Sequence, residues 1–286
     1  MATGVLVVGI NKATRLLTYI VGTSKTYTAT IRLGQSTITD DAEGEVVATT
    51  SAAAVTDEAI HDGVAALTGL IQQVPSSVSA IKVNGERAYA RVRSGEEVKL
   101  AARPVTIHRF EVHGIHRPPH SGAADSAVGD PAVAESVVAD SGVVDIDVTV
   151  ECSSGTYIRA LARDLGNALG VGGHLTALRR THVGPYSLEQ ARTLEQLAED
   201  LQVLEMSQAA RALMPNRELT AEETTEISFG RRIAAGAEAG SPEAATAEHP
   251  AAGFAPDGSL VALLADSGNF AKPVLVFAPG NGARES

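Results

Sequence analysis

Between Val144 and Cys152 apolar and polar residues alternate without a break, Val144, Ile146, Val148, Val150 and Cys152 interleaving with Asp145, Asp147, Thr149 and Glu151. A period of two predicts a strand with one buried and one wet face. Just beyond, Ile158, Leu161, Ala162, Leu165 and Leu169 recur at helical spacing, so residues 153–157 read as a polar turn joining a strand to a helix. Arg159 falls in the first turn of that helix, where the macrodipole is positive, and it needs an anion from elsewhere in the chain or from a ligand. The short apolar run Val5–Gly9 predicts a strand, and alternation predicts others at Tyr27–Leu33 and around Val105–Val112. In the second of these, Tyr27, Ala29, Ile31 and Leu33 share the apolar face. Thr56 or Asp57 can cap a helix striped by Ile60, Val64, Leu67 and Ile71.

Turn chemistry divides the rest. Gly34 to Gly44 is polar throughout and reads as a loop, and Asn84-Gly85 marks a tight turn inside a basic stretch that carries Lys82, Arg87, Arg91, Arg93 and Lys99 around Tyr89. Arg117 to Gly142, rich in Pro, Gly, Ala, Ser and Asp, has no sustained period and reads as a flexible insertion or long surface loop. The glycines from Gly170 to Gly173 read as a tight turn leading to Arg179 and Arg180, because neither a dinucleotide fingerprint nor a P-loop is spelled out. Capping boxes at Thr193/Gln196 and Thr220/Glu223 start two short helices, and Met206 to Met214 reads as another. An Asp257-Gly258 hairpin and a strand at Pro273 to Ala278 complete a small β-rich appendage. The predicted organisation is a domain over 1–192 with its insertion at about 117–142, a helical connector over 193–215, and a small C-terminal domain over 216–286.

Composition changes this picture in one respect. The net charge of −11 is unevenly placed: residues 1–192 hold 17 Lys and Arg against 20 Asp and Glu, and residues 193–286 hold 6 against 14. A basic face on the first two thirds is therefore compatible with an acidic whole, since local potential attracts phosphates. No acid occurs between Asp164 and Glu189, which places Arg179 and Arg180 in a locally positive stretch. No apolar run reaches the length of a membrane span, and a cytoplasmic protein is the expectation. The single cysteine, Cys152, has no thiol partner and reads as a small core residue. Eight histidines lack ligand spacing, so no metal is expected. Asp40 and Asp41 are the most tempting carboxylates, but loop aspartates are more often turn formers than catalysts.

Four groups of residues resemble the TruB-type tRNA pseudouridine synthases. They are Tyr27 with Arg32-Leu33-Gly34 and Thr37-x-Thr39-x-Asp41-x-x-Gly44; Ser79-Ala80-Ile81-Lys82-Val83-x-Gly85-x-x-Ala88-Tyr89; Cys152-Ser153-x-Gly155-Thr156-Tyr157-Ile158-Arg159; and Gly173-His174-Leu175-x-x-Leu178-Arg179-Arg180. The resemblance implies an α+β fold, with a mixed, largely antiparallel sheet, flanking helices and a small C-terminal PUA-like β domain. It implies isomerisation of uridine-55 in the tRNA T loop to pseudouridine by a monomer, with no cofactor and no metal. A buried base must leave the stack to be reached, and it then needs a surface to rest on. By resemblance Tyr27 stacks on that base and takes part in removing its C5 proton, Tyr157 and Leu178 line the pocket, and Arg159 pairs with the catalytic aspartate. Lys82, Arg179 and Arg180 are the expected RNA contacts.

The family's nucleophile belongs to a motif of the form G-x-x-L-D-P-x-A-x-G-x-L, whose tail is matched by Met1-Ala2-Thr3-Gly4-Val5-Leu6. Its aspartate would lie two positions ahead of Met1. The expectation is a piece, or a misplaced start, of a longer synthase. The alternative is a shortened, inactive tRNA-binding protein or RNA-folding aid. Either way, these 286 residues are expected not to turn over and to leave Arg159 unpaired.

Overall fold

The computed structural model describes residues 2–76, 100–117, 142–236 and 244–277, together with the backbone of 82–83 and 86–87. Its strands in chain order are β1 (Ala2–Gly4), β2 (Lys25–Leu33), β3 (Gln35–Thr37), β4 (Val46–Thr49), β5 (Gly69–Gln73), β6 (Lys82–Val83), β7 (Glu86–Arg87), β8 (Arg103–His116), β9 (Val144–Cys152), β10 (Gly173–Val183), β11 (Tyr186–Ser187), β12 (Asn216–Glu218), β13 (Ile233–Ala234), β14 (Ala251–Phe254), β15 (Leu260–Ser267) and β16 (Phe270–Val276). The helices are α1 (Leu17–Val21), α2 (Asp57–Ala66), α3 (Ile158–Ala168), α4 (Leu194–Glu199), α5 (Met206–Leu213) and α6 (Ala221–Ser228). Two compact units emerge. One holds Met1–Gly4 with Ser24–Thr181, the other Val5–Thr23 with His182–Ser286. None of the described helices is long and apolar enough to cross a membrane.

The first unit is built on a sheet of order β1-β10-β2-β9-β8-β5. β1 runs parallel to β10, whereas β2, β8 and β5 meet their neighbours β9 and β8 antiparallel. β9 follows the alternation of its sequence. Val144, Ile146, Val148, Val150 and Cys152 are buried and pack with Ala29, Ile31 and Leu33 of β2 in one core. α2 and α3 close that core with Ile60, Val64, Ile158, Leu161 and Leu165. The opposite face is wet and bonded across strands: Arg32 grips both carboxylate oxygens of Asp145 at 2.8 and 2.7 Å, and the Thr30 hydroxyl donates to Asp147 at 2.7 Å. Cys152 is a core residue, and burial pushes its thiol up to about 11.

α3 ends in a Schellman motif: the Gly170 amide donates to Asn167 and the Val171 amide to Gly166, with Gly170 at φ +73°. Gly166 is also a contact point. A Cβ there would sit 2.1 Å from the Gly172 carbonyl carbon, so only glycine lets the helix end abut the start of β10.

The second unit has a sheet of order β12-β14-β15-β16-β13, whose core includes Leu219, Ile227, Val261, Leu264 and Ala271. The Asp257-Gly258 turn joins β14 to β15 as its sequence predicts, and both capping boxes form.

Four readings need correction. Val5–Gly9 is not a strand. Burial alternates there, with Val5 buried and Leu6 and Val8 exposed, but no described strand pairs with it. Gly34–Gly44 is not simply loop, because its first residues form β3 against β4. Ile71 lies on β5 and not on the helix, because α2 stops at Ala66. The Gly170–Arg180 stretch holds β10, an eleven-residue strand whose mixed burial hides any clean alternation. β6 and β7 pair Lys82 with Arg87 and Val83 with Glu86, while Asn84-Gly85, Arg91, Arg93, Lys99, Tyr89 and most of 117–142 lie outside the described residues.

Two measurements test this packing. Gly166→Ala should cost about 3 kcal/mol in urea unfolding, because its methyl meets fixed backbone. Gly63→Ala, whose methyl meets side-chain ends alone, Leu165 Cδ1 at 2.7 Å and Leu169 Cδ2 at 4.0 Å, should stay within about 1 kcal/mol of the parent. A reversed order would contradict the proposed contact. Cys152 should resist a thiol reagent at pH 8 until the chain is unfolded, and rapid reaction of the native protein would contradict its burial.

Candidate active site

The predicted site residues lie on β2, β6, β10 and the N-cap and first turn of α3, and the tempting carboxylates on the loop after β3. That loop is shaped by Asp40 and Asp41. Asp40 adopts φ +57°, a left-handed conformation that aspartate tolerates better than most residues. Its amide donates to the Thr37 carbonyl at 3.3 Å, and its carbonyl accepts from the Leu175 amide at 3.1 Å, which ties the loop to β10. Asp41 is 1% exposed. Its Oδ1 accepts the Thr39 hydroxyl at 2.5 Å and the Glu43 amide at 3.0 Å, an Asx-type turn. Its Oδ2 lies 2.5 Å from Nε of Arg159.

Arg159 is therefore paired within this chain, which corrects the expectation that it would be left without an anion. A buried carboxylate is tolerable only with a cation and donors around it, and this loop supplies both. The N–H of Nε is not aimed at the oxygen well enough to count as a hydrogen bond, so the contact is one of charge at close range. Asp40 and Asp41 are turn formers, as the sequence suggests, but Asp41 is also a charge partner.

One helical turn on, Arg163 repeats the arrangement. Its Nη1 lies 3.3 Å from Asp40 Oδ2, its Nη2 donates to the Val74 carbonyl at 2.7 Å and its Nε donates to Asp164 at 2.9 Å. Burial raises the Asp40 carboxyl above the usual carboxylate range, and the nearby Arg163 guanidinium opposes that shift.

Tyr27 is half-buried on the core face of β2, beside the partly buried Leu178 at the edge of the same core. Burial raises its phenol, and a side-chain hydrogen bond with Arg180 works in the other direction. The structure thus brings Tyr27 to Arg180 and Arg159 to Asp41. It sends Arg179 elsewhere: successive residues on a strand face opposite ways, and Arg179 Nη1 reaches the Thr3 hydroxyl of β1 at 3.4 Å. Arg179 and Leu178 line a cleft of about 700 Å³ with Thr28, Thr30, His113 and Asp147. A larger cavity, about 750 Å³, lies in the second unit and contains none of the predicted site residues. For Lys82 only the backbone is described.

Tyr157 stands at the N-cap of α3 with extended φ and ψ of −107° and 107°. Its amide donates to Oε1 of Gln73 at 2.8 Å, and its carbonyl accepts from Nε2 of Gln73 at 3.1 Å. Sequence reasoning missed Gln73, the second of two adjacent glutamines at the end of a short strand with no local motif around them. Among the described residues no group of three or more His, Cys, Asp or Glu is placed to hold a metal ion.

Comparison with known proteins adds to this geometry. The family model for the TruB family pseudouridylate synthase N-terminal domain matches residues 1–158, that for the tRNA pseudouridylate synthase B C-terminal domain matches 159–218, and that for the tRNA pseudouridine synthase II C-terminal domain matches 214–278. The chain is 78% identical over 281 residues to the tRNA pseudouridine synthase B of Arthrobacter sp. (strain FB24), covering 98% of this chain and 85% of that protein. It is 51% identical over 278 residues to that of Thermobifida fusca (strain YX), covering 97% and 86%. Among solved structures, an archaeal box H/ACA sRNP Nop10-Cbf5 complex has a chain that aligns with a TM-score of 0.59 at 19% identity, covering 98% of this chain and 75% of that one, a likeness of fold alone. The chain belongs to the TruB family of pseudouridylate synthases.

Proposed function

We propose that this protein serves the isomerisation of uridine-55 in the T loop of tRNA to pseudouridine. The observation that carries the reading is the Arg159–Asp41 pair at the start of α3, two residues after Tyr157, in a chain whose family isomerises uridine. In the reaction the C1′–N1 glycosidic bond breaks, the uracil turns, a C1′–C5 bond forms, the C5 proton leaves to solvent and N1 gains one. Atoms and electrons balance without a redox partner. The flipped base rests on Tyr27, whose phenol Arg180 holds, and Tyr157 and Leu178 wall the pocket. Tyr27 also takes part in removing the C5 proton.

Arg159 orients the nucleophilic aspartate. A guanidinium carries five N–H donors, more than one carboxylate uses, so the group can serve a second carboxylate besides Asp41. That second carboxylate is the aspartate of the family motif, which is not among these 286 residues. Asp41 is a poor substitute nucleophile, since both its oxygens are already engaged. The chain as it stands therefore binds tRNA without turning it over. The monomeric state, the T-arm contact and a cytoplasmic location belong to the same proposal.

The test is tritium release from a tRNA transcript carrying uridine labelled at C5. No release above background is expected from the 286-residue chain, and release is expected once a Gly-x-x-Leu-Asp-Pro segment precedes Met1. Turnover by the unextended chain would overturn the assignment of the nucleophile. Binding of the same transcript should weaken with salt, and Arg179→Gln should flatten the slope of log affinity against log salt by about 1. An unchanged slope would remove Arg179 from the RNA contacts.

A further inference from the structure

α3 starts without the usual help. Its N-cap is Tyr157, whose side chain makes no capping bond, and its first turn holds an arginine and no acid. The start of this helix must be fixed by something else. Gln73 is 1% exposed, the last residue of β5, and it spends both ends of its amide on one residue, accepting from the Tyr157 N–H and donating to the Tyr157 carbonyl. Only one orientation of the amide satisfies both bonds, so the side chain acts on Tyr157 as a neighbouring strand would. The residues that follow reach the other parts of the site. The Val74 carbonyl accepts from Arg163, and the Ser76 hydroxyl donates to the Thr39 carbonyl at 3.4 Å, next to the Asp40-Asp41 loop.

We propose that Gln73 is a positioning residue for the uridine site: its amide clamps the Tyr157 backbone and so sets where Tyr157 and Arg159 present their side chains. The reasoning rests on the proposed function for the roles of Tyr157 and Arg159, but the clamp itself does not. Without Gln73 the Tyr157 N–H loses its partner and its C=O keeps only the Leu161 amide at 3.3 Å, so the N-cap, lacking a side-chain bond of its own, is free to reorient. Arg159, two residues on, then loses its fixed approach to Asp41.

The experiment uses the full chain with Gln73→Met, which keeps length and removes the amide, and Gln73→Glu, which keeps an acceptor. Amide exchange is followed by NMR, and the Tyr157 ring is followed by fluorine NMR of the 3-fluorotyrosine-labelled chain, its signal assigned with Tyr157→Phe. In Gln73→Met the Tyr157 amide should exchange about ten-fold faster, the loss of roughly one hydrogen bond, and the ring signal should shift or broaden. Protection in β9 should be unchanged. Gln73→Glu should keep the Tyr157 amide protected, because a carboxyl accepts from it in either state, but when ionised it loses the bond to the Tyr157 carbonyl and should shift the ring signal as Gln73→Met does; protonation at low pH, compared at each pH with the parent, should return that signal to the parent's, because a neutral carboxyl restores one donor and one acceptor. That reversal also decides the matter if the methionine variant does not fold. Affinity for a tRNA transcript should fall about ten-fold in Gln73→Met with the salt slope intact, since geometry and not charge is lost. An unmoved Tyr157 signal, or an equal loss of protection throughout β9, would overturn the clamp. A moved signal with unaltered affinity would overturn its link to the site. Failure of the parent chain to bind tRNA would instead strike the proposed function, leaving the exchange data to judge the clamp.

Discussion

Asp41 is a carboxylate held at 1% exposure, and such a group is stable only where charge and donors compensate for lost water. Arg159 supplies the charge, and Thr39 and Glu43 supply the donors. The consequence runs in both directions. The loop after β3 cannot bury Asp41 unless α3 delivers Arg159, and Arg159, unfavourably placed at the positive end of its helix, is held by the loop's anion. A β-strand turn and a helix start that lie far apart in sequence are thereby locked together. Neighbouring bonds from Arg163 to Asp40 and from Gln73 to Tyr157 tighten the same junction.

Where periodicity was clean, the structure follows the sequence closely. β9 ends at the residues that the alternation marks, the Thr193 and Thr220 capping boxes form, and Arg159 stands in the first turn of its helix. β10 was illegible because its first three residues, Gly173, His174 and Leu175, are buried on both faces while most of the rest are half-buried or exposed, so apolar and polar residues do not sort by parity. Val5–Gly9 failed for the converse reason: its residues suit a strand, but a strand also needs a partner, which no local pattern reveals. Tyr27 and Arg180, 153 positions apart in sequence by their numbers, meet only through sheet pairing, and their contact was invisible for the same reason. Gln73 was missed because its bonds go to backbone, and backbone partners leave no trace in residue identity.

An acidic chain that works on RNA is less contradictory than its net charge of −11 suggests. Most of the excess acid lies beyond residue 192, whereas Arg159, Arg163, Arg179 and Arg180 belong to the first unit. Two of these arginines are already committed to carboxylates, which organise the site. Under the proposed function, phosphate contact is assigned to groups such as Arg179, whose only described side-chain hydrogen bond is to the Thr3 hydroxyl.

The central claim is that Arg159 and Asp41 act as one unit, and a double-mutant cycle measures this most directly. Urea unfolding of Asp41→Asn, Arg159→Met and the double variant should give single losses of about 2 kcal/mol or more, with a double loss no larger than the greater single one. Two losses that simply add would show that the side chains are neighbours without being partners, and the account of the site would fail.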